Sequence, residues 1–289
     1  MDGELGDFLR SRRARIRPEE VGLPSYGRRR VPGLRREEVA QLAGVSVDYY
    51  VRLEQGRGPA GPARTKAGGV SDAVLDALAR VLRLDAAEHE YLRAVARPHR
   101  RDGARAAGAS RDTASRVRPG VQLLLDGMDR NPAYVVDHRM EVLAWNALAD
   151  ALLGFGGADD LSLPRRLFLD PASRDLYPDR DEVTAQMVAH LRLQAGHHPG
   201  DRATAELVAE LSEASAEFRR LWADHLVKPC DHGVKLLRHP VAGLLSLPYE
   251  TLTVPGDPDR TIVAYVPEPG SDAQERLALL GSWATTRTG

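Results

Sequence analysis

The stretch Leu34–Arg57, LRREEVAQLAGVSVDYYVRLEQGR, reads as two short helices joined by a tight turn. Arg35 to Ala43 forms the first, and the acidic Glu37 and Glu38 suit the positive end of its dipole. Val39, Leu42 and Ala43 fall on one face at helical spacing. Gly44 can close that helix in the left-handed conformation without a Cβ clash. Ser46 is a natural N-cap for the second helix, in which Tyr50 and Leu53 point inward and Gly56 is the stop. Ala40 is small enough at the crossing for close helix approach. The pattern is a helix-turn-helix.

Outward from that pair, the flanks supply the rest of a small α-domain. Leu5 to Ile16 carries Leu5, Phe8 and Leu9 opposite an arginine-rich side, an amphipathic first helix. Residues 17–33 hold three prolines and three glycines and are a loop or short turns. Residues 57–70 form a second Gly/Pro-rich loop. Ser71 caps a helix bearing Val74, Leu75, Leu78, Val81 and Leu82. Asp85 caps another with Tyr91, Leu92 and Val95. Five helices therefore account for residues 5–96. Residues 97–118 have almost no large apolar side chain and read as a linker.

Beyond the linker the periodicity changes. Val121 to Asp129 is a short helix. Ala133–Asp137 and Glu141–Trp145 alternate about His138 and Arg139 as a β-hairpin. Asn146 caps a helix to Leu153, and the glycines of 154–157 end it. Two helices are expected over 181–195 and 203–226, then strands at 234–238, 244–254 and 261–266. Two strands, several helices and three strands is the order of a PAS-like α+β fold, an antiparallel sheet with helices on one face. The domain division is 1–96, linker 97–118, and 119–280.

Charge separates the two halves. Residues 1–119 hold 24 Lys/Arg against 16 Asp/Glu, whereas residues 120–289 hold 16 against 25. A basic half suits a polyanion, and the acidic half does not. The single cysteine, Cys230, excludes an intramolecular disulfide framework. No apolar run reaches the ~18 residues of a membrane span, and the N-terminus lacks a secretory apolar core. The expected setting is cytoplasmic, with no membrane partner.

If Tyr50 and Leu53 face the core, a rotation of about 100° per residue turns Val47, Asp48, Val51, Arg52 and Gln55 outward. Arg52 can pair with guanine in bidentate fashion, Asp48 can accept from cytosine, and Val47 can touch a thymine methyl. The second helix is then the one that enters the DNA groove. Arg28, Arg29, Arg30, Arg35, Arg36 and Arg57 suit phosphate, as do Ser46 and Gln55 at the ends of the second helix. The acidic half contains no nucleophile elbow, P-loop or strand-linked G-x-G-x-x-G, so no catalytic residue is nominated. His225, Cys230, His232 and His239 match no standard zinc spacing, and no metal or required cofactor is expected. Apolar residues around the sheet, Trp145, Phe155, Phe168, Tyr177, Met187, Leu191, Leu247, Tyr249 and Tyr265, are candidates for a small hydrophobic ligand's pocket. Leu163, Leu176 and Leu244 are read as further core or cavity side chains.

Residues 27–57, GRRRVPGLRREEVAQLAGVSVDYYVRLEQGR, resemble the DNA-binding domain of lambda repressor/Cro-like (XRE) regulators. The pieces NPAYVVDHRMEVLAWNALADALLG, RDLYPDRDEVTAQMVAHLRLQAGHHPGD, SAEFRRLWADH and LRHPVAGLLSLPYETLTVPGDPDRTIVAYVPEPGS resemble the MmyB-like ligand-binding domain. The resemblance implies a bacterial transcription regulator, a usual homodimer, whose PAS-like domain holds a long-chain fatty acid. It carries base readout onto Val47, Asp48 and Arg52 and backbone contact onto Arg36. The 57–70 loop is longer than the family's usual connection. The expected fold is α + (α+β), acting on a double-stranded operator. The rival reading is a DNA-binding regulator whose C-terminal domain only dimerises or recruits a protein, without a ligand. An enzyme tethered to DNA lacks a candidate set of polar groups.

Overall fold

The computed structural model describes residues 2–23, 33–56, 70–96 and 117–288. Its contacts divide into two compact units. Among the described residues, the first joins 2–96 to Arg192–Ala205 and Leu221–Pro229, and the second holds the rest.

In the first unit, helices α1 (Asp2–Arg15), α2 (Arg36–Ala43), α3 (Val47–Glu54), α4 (Asp72–Val81) and α5 (Ala86–Ala96) enclose one core. A 3-10 turn, Pro18–Val21, lies within the expected loop. Residue chemistry explains the boundaries. Ser46 Oγ accepts from the Tyr49 amide and Ser71 Oγ from Val74, so two helix starts have side-chain caps. Asp85 and Glu88 exchange bonds with each other's amides as a capping box. Gly44 adopts φ 68°, which a side chain would strain. Val39, Ala40, Tyr50 and Leu53 are buried as the periodicity requires. Leu42 departs from it at 39% exposure. The core-facing stripe of this helix runs through Val39, Ala40 and Ala43, and Leu42 lies at its edge.

The second unit is built on a five-stranded antiparallel sheet, β1 (Ala133–Asp137), β2 (Val142–Trp145), β3 (His232–His239), β4 (Gly243–Val254) and β5 (Asp257–Tyr265), ordered β2-β1-β5-β4-β3. Tyr134 pairs with Trp145 and Tyr249 with Tyr265 across the ladder. One face meets α7 (Ala147–Leu153) and α13 (Asp272–Thr288) through Ala149, Leu152, Leu277 and Leu280. The other face is not bare, as a one-sided arrangement would require. Leu125 of α6 (Pro119–Asp126) packs there with Ala133, Val135, Ala144, Ile262 and Ala264. Coverage of both faces explains why four successive residues of β1 are buried.

Between the hairpin and β3 run α8 (Leu163–Leu169), α9 (Ser173–Leu176), α10 (Arg180–His197), α11 (Arg202–Ala214) and α12 (Ala216–Ala223). The single helix expected over 203–226 is thus two. Ser215 breaks it, because its hydroxyl accepts from the Phe218 amide and starts α12. The helices α8, α9 and α13 were not foreseen; the first two are too short to show a full apolar period. Asn146 does more than cap α7. Its Oδ1 also accepts from Ala133, and its amide donates to the carbonyls of Leu125, Met128 and Asn131. One buried side chain therefore pins helix, hairpin and α6 together.

Candidate functional site

The candidate nucleic-acid face begins with α3. Val47 is 44% exposed at its first turn, Asp48 is exposed, and Arg52 is half-buried one turn further on. Those three positions occupy the solvent side of the helix, opposite Tyr50 and Leu53. Tyr49 is also buried, which the sequence reading left unassigned. Gln55 is the exposed C-cap residue and Ser46 the N-cap. Arg35 is the exposed residue preceding α2. Arg28, Arg29, Arg30 and Arg57 lie outside the described residues.

Arg36 has a further task. Its Nε donates to Glu54 Oε2 at 2.6 Å, and Arg13 Nε donates to Oε1 at 2.6 Å. Arg13 also reaches the Leu34 carbonyl at 2.7 Å. The Glu54 side chain is fully buried, while Arg36 is 43% exposed. Burial alone would raise the Glu54 pKa, but the two arginines hold it below the ordinary carboxylate value. This charge-assisted pairing fixes α2 against α3 and α1, so it sets the angle at which the solvent face of α3 is presented. Glu54 carried no motif that marked it: a glutamate on an amphipathic helix reads as surface until tertiary structure buries it.

On the sheet of the second unit, Phe155, Leu247, Tyr249 and Tyr265 are buried in one cluster, with Trp145, Tyr177 and Met187 packed against it. Tyr134, which sequence reading placed only in a strand, stands at the centre. It meets Phe155 at 5.3 Å and Tyr265 at 6.4 Å between ring centroids. Two nominated residues fall elsewhere. Phe168 packs edge-on to Phe218 at 5.1 Å, and Leu191 is fully buried outside the cluster. On α8, Phe168 lies about 140° around the helix from Leu163, which packs on the cluster, so the two side chains meet different neighbours. Leu163 and Leu176 pack on the cluster as expected, but Leu244 is 51% exposed because β4 alternates and turns it outward.

The cluster has polar points. The Cys230 thiol and the Tyr249 hydroxyl lie 3.3 Å apart. Burial raises the phenol pKa values of Tyr134, Tyr177, Tyr249 and Tyr265, so each is a neutral hydroxyl. Arg166 stacks 5.2 Å from the Phe155 centroid and donates Nη2 to the Leu153 carbonyl. Its Nη1 is buried without a partner among the described residues. His239 Nδ1 accepts from the Val241 and Ala242 amides.

No helix among the described residues is long and apolar enough to cross a membrane. No curated protein matches the chain. Residues 4–92 match a helix-turn-helix domain and residues 117–280 match the MmyB-like transcription regulator ligand binding domain. With an exposed helix-turn-helix face in one unit, a sheet-backed aromatic cluster in the other, and the second match covering more than half its length, the chain belongs to the family of helix-turn-helix regulators with an MmyB-like ligand-binding domain.

Proposed function

We propose that the protein is a cytoplasmic, homodimeric, sequence-specific transcription regulator that acts by binding rather than catalysis. Val47, Asp48 and Arg52 read base edges, and Arg35, Arg36, Ser46, Gln55 and the arginines 28–30 and 57 hold the phosphates. A dimer would engage half-sites about 34 Å apart, one helical turn. Residues 119–280 act as a PAS-like sensor for a hydrophobic molecule such as a long-chain fatty acid. The order β2-β1-β5-β4-β3 supports the PAS-like reading. The observation that carries the ligand reading is the aromatic cluster beside Arg166 Nη1, a guanidinium nitrogen without a partner among the described residues. Apolar walls suit an acyl chain, and a buried donor lacking a partner suits its carboxylate.

Two measurements test this. Binding to a duplex selected from a random pool should fall steeply between 50 and 200 mM salt, as phosphate neutralisation demands. Salt-insensitive binding would count against the DNA reading. Native mass spectrometry of the purified chain should show a co-purifying lipid mass; a clean apo mass, unchanged on adding palmitate, would leave the cluster as plain core.

A further inference from the structure

The helix-turn-helix is completed by chain far along in sequence. The first unit's core contains Leu193 from the last turns of α10 and Val227 from the segment after α12. Both residues lie inside the stretch matched by the ligand-binding family, residues 117–280. The approach of α10 is close enough to require glycine: a Cβ at Gly196 would lie 2.6 Å from two ring carbons of Tyr91 in α5.

Arginines secure this addition. Arg12 of α1 has a side chain only 4% exposed, pairs with Glu88 of α5 at 3.1 Å and donates to the His225 carbonyl at 2.7 Å. Arg15 donates to the Asp224 carbonyl at 2.7 Å, and Ser11 reaches it at 3.4 Å. Arg192 of α10, 1% exposed, donates to the Trp222 carbonyl with its guanidinium carbon 4.0 Å from an indole centroid. These acceptors sit at and just past the C-terminus of α12, where carbonyls lack helical partners and the dipole is negative. The chain turns there through a left-handed His225, φ 51°, a conformation uncommon for residues other than glycine.

The grip is incompletely satisfied. Arg12 Nε and Nη1 and Arg192 Nε are buried without partners among the described residues. A polar network that is buried but partly unpaired stands close in energy to alternatives that would pair it better. Helix α10 meanwhile places Met187 against the aromatic cluster ten residues or less before Arg192, Leu193 and Gly196.

We propose that the arginine grip of α1 and α10 on the C-terminus of α12 is the transmission element of the regulator, its ordering linked to DNA occupancy and to occupancy of the aromatic cluster. This rests on the proposed ligand-responsive DNA-binding function. Linkage is reciprocal, so DNA alone must perturb the grip.

The test uses the full chain and a duplex it selects from a random pool, read by amide hydrogen exchange with and without duplex. Amides of 192–205 and 221–229 should change exchange rate by roughly tenfold on duplex binding, a coupling usual for linked sites. Arg12→Met with Arg192→Met keeps apolar volume while removing the donors, and should still bind the duplex but abolish that change. If the double variant does not fold, the exposed Arg15→Ala should reduce the change by about half on a logarithmic scale. In parallel, palmitate should shift the duplex Kd by at least about fivefold in the natural chain and not in the variant. A selected duplex with no exchange change in either stretch, or a change that survives the substitutions, overturns the proposal alone. Failure to select any duplex overturns the DNA reading, and the proposal with it. Failure of palmitate to bind overturns the ligand assignment, while the exchange result still decides the grip.

Discussion

The two units organise their interiors by opposite means. The first buries charge: Glu54 between Arg13 and Arg36, Arg12 against Glu88, and Arg192 under Trp222. The second buries rings and neutral hydroxyls on a sheet, with weak polar contacts such as Cys230 to Tyr249. Charge-assisted hydrogen bonds are directional and hold helices at set angles, as a surface that must match a groove requires. Apolar contact is non-directional and tolerates exchange of one apolar neighbour for another. Under the proposed function, rigidity suits the face that reads DNA and adaptability suits the cluster that would take an acyl chain.

The largest test of that contrast is Glu54→Gln. It strips the charge from a fully buried carboxylate while leaving two arginines in place, so a destabilisation of about 3–5 kcal/mol is expected. Chemical denaturation of the full chain would measure it, and a loss under about 1 kcal/mol would show the ionic centre to be dispensable. The sign of its pH dependence also follows. A carboxyl with a lowered folded pKa contributes stability that is full above its ordinary value of 4.5 and fades as pH falls through the folded value. Melting temperature should therefore drop on acidification below that point less steeply in Glu54→Gln than in the natural chain.

Next in size is Arg52→Ala, expected to lower discrimination between selected and scrambled duplexes by about 1–3 kcal/mol. An equal weakening on both duplexes would instead make Arg52 a phosphate contact. Smaller again is Tyr249→Phe, which removes one hydroxyl near Cys230. About 0.5–1.5 kcal/mol of stability should be lost, well under the Glu54 effect. A larger loss than that of Glu54→Gln would reverse the comparison between the units.

At neutral pH, where the imidazole is uncharged folded or unfolded, the smallest effect is expected at His225. Burial, then the nearby Arg192, lowers its pKa from 6.5 to about 4. The unfolded chain binds a proton there that the folded chain refuses, so its contribution is lost as pH falls from about 6.5 toward 4. His225→Asn keeps a residue tolerant of the left-handed turn and should flatten the stability profile in that window. An unchanged profile would mean the imidazole takes no part in the region's titration.

Much of this molecule was legible along the chain. Ser46, Gly44 and Ser71 mark helix ends by chemistry that acts within four residues, and the alternation of 133–137 and 243–254 marks strands. The outward positions of Val47 and Asp48 follow from helical rotation alone. Membership of the aromatic cluster was partly legible, since aromatic residues bury wherever a sheet is covered, yet Phe168 and Leu244 show that composition does not name the neighbour. Glu54, Arg12 and Arg192 were illegible, because a charged side chain reads as solvated until a distant partner is brought to it.

Capping, periodicity and charge balance are local properties, and by themselves they determined a helix-turn-helix half and a sheet-containing half. Only the tertiary structure decided that 192–205 and 221–229 pack with the first ninety-odd residues. It also decided that Glu54 is the buried centre of the helix pair at Leu34–Arg57. Both depend on groups far apart in sequence meeting out of water, where an ion needs a specific partner, and no short-range pattern encodes that meeting.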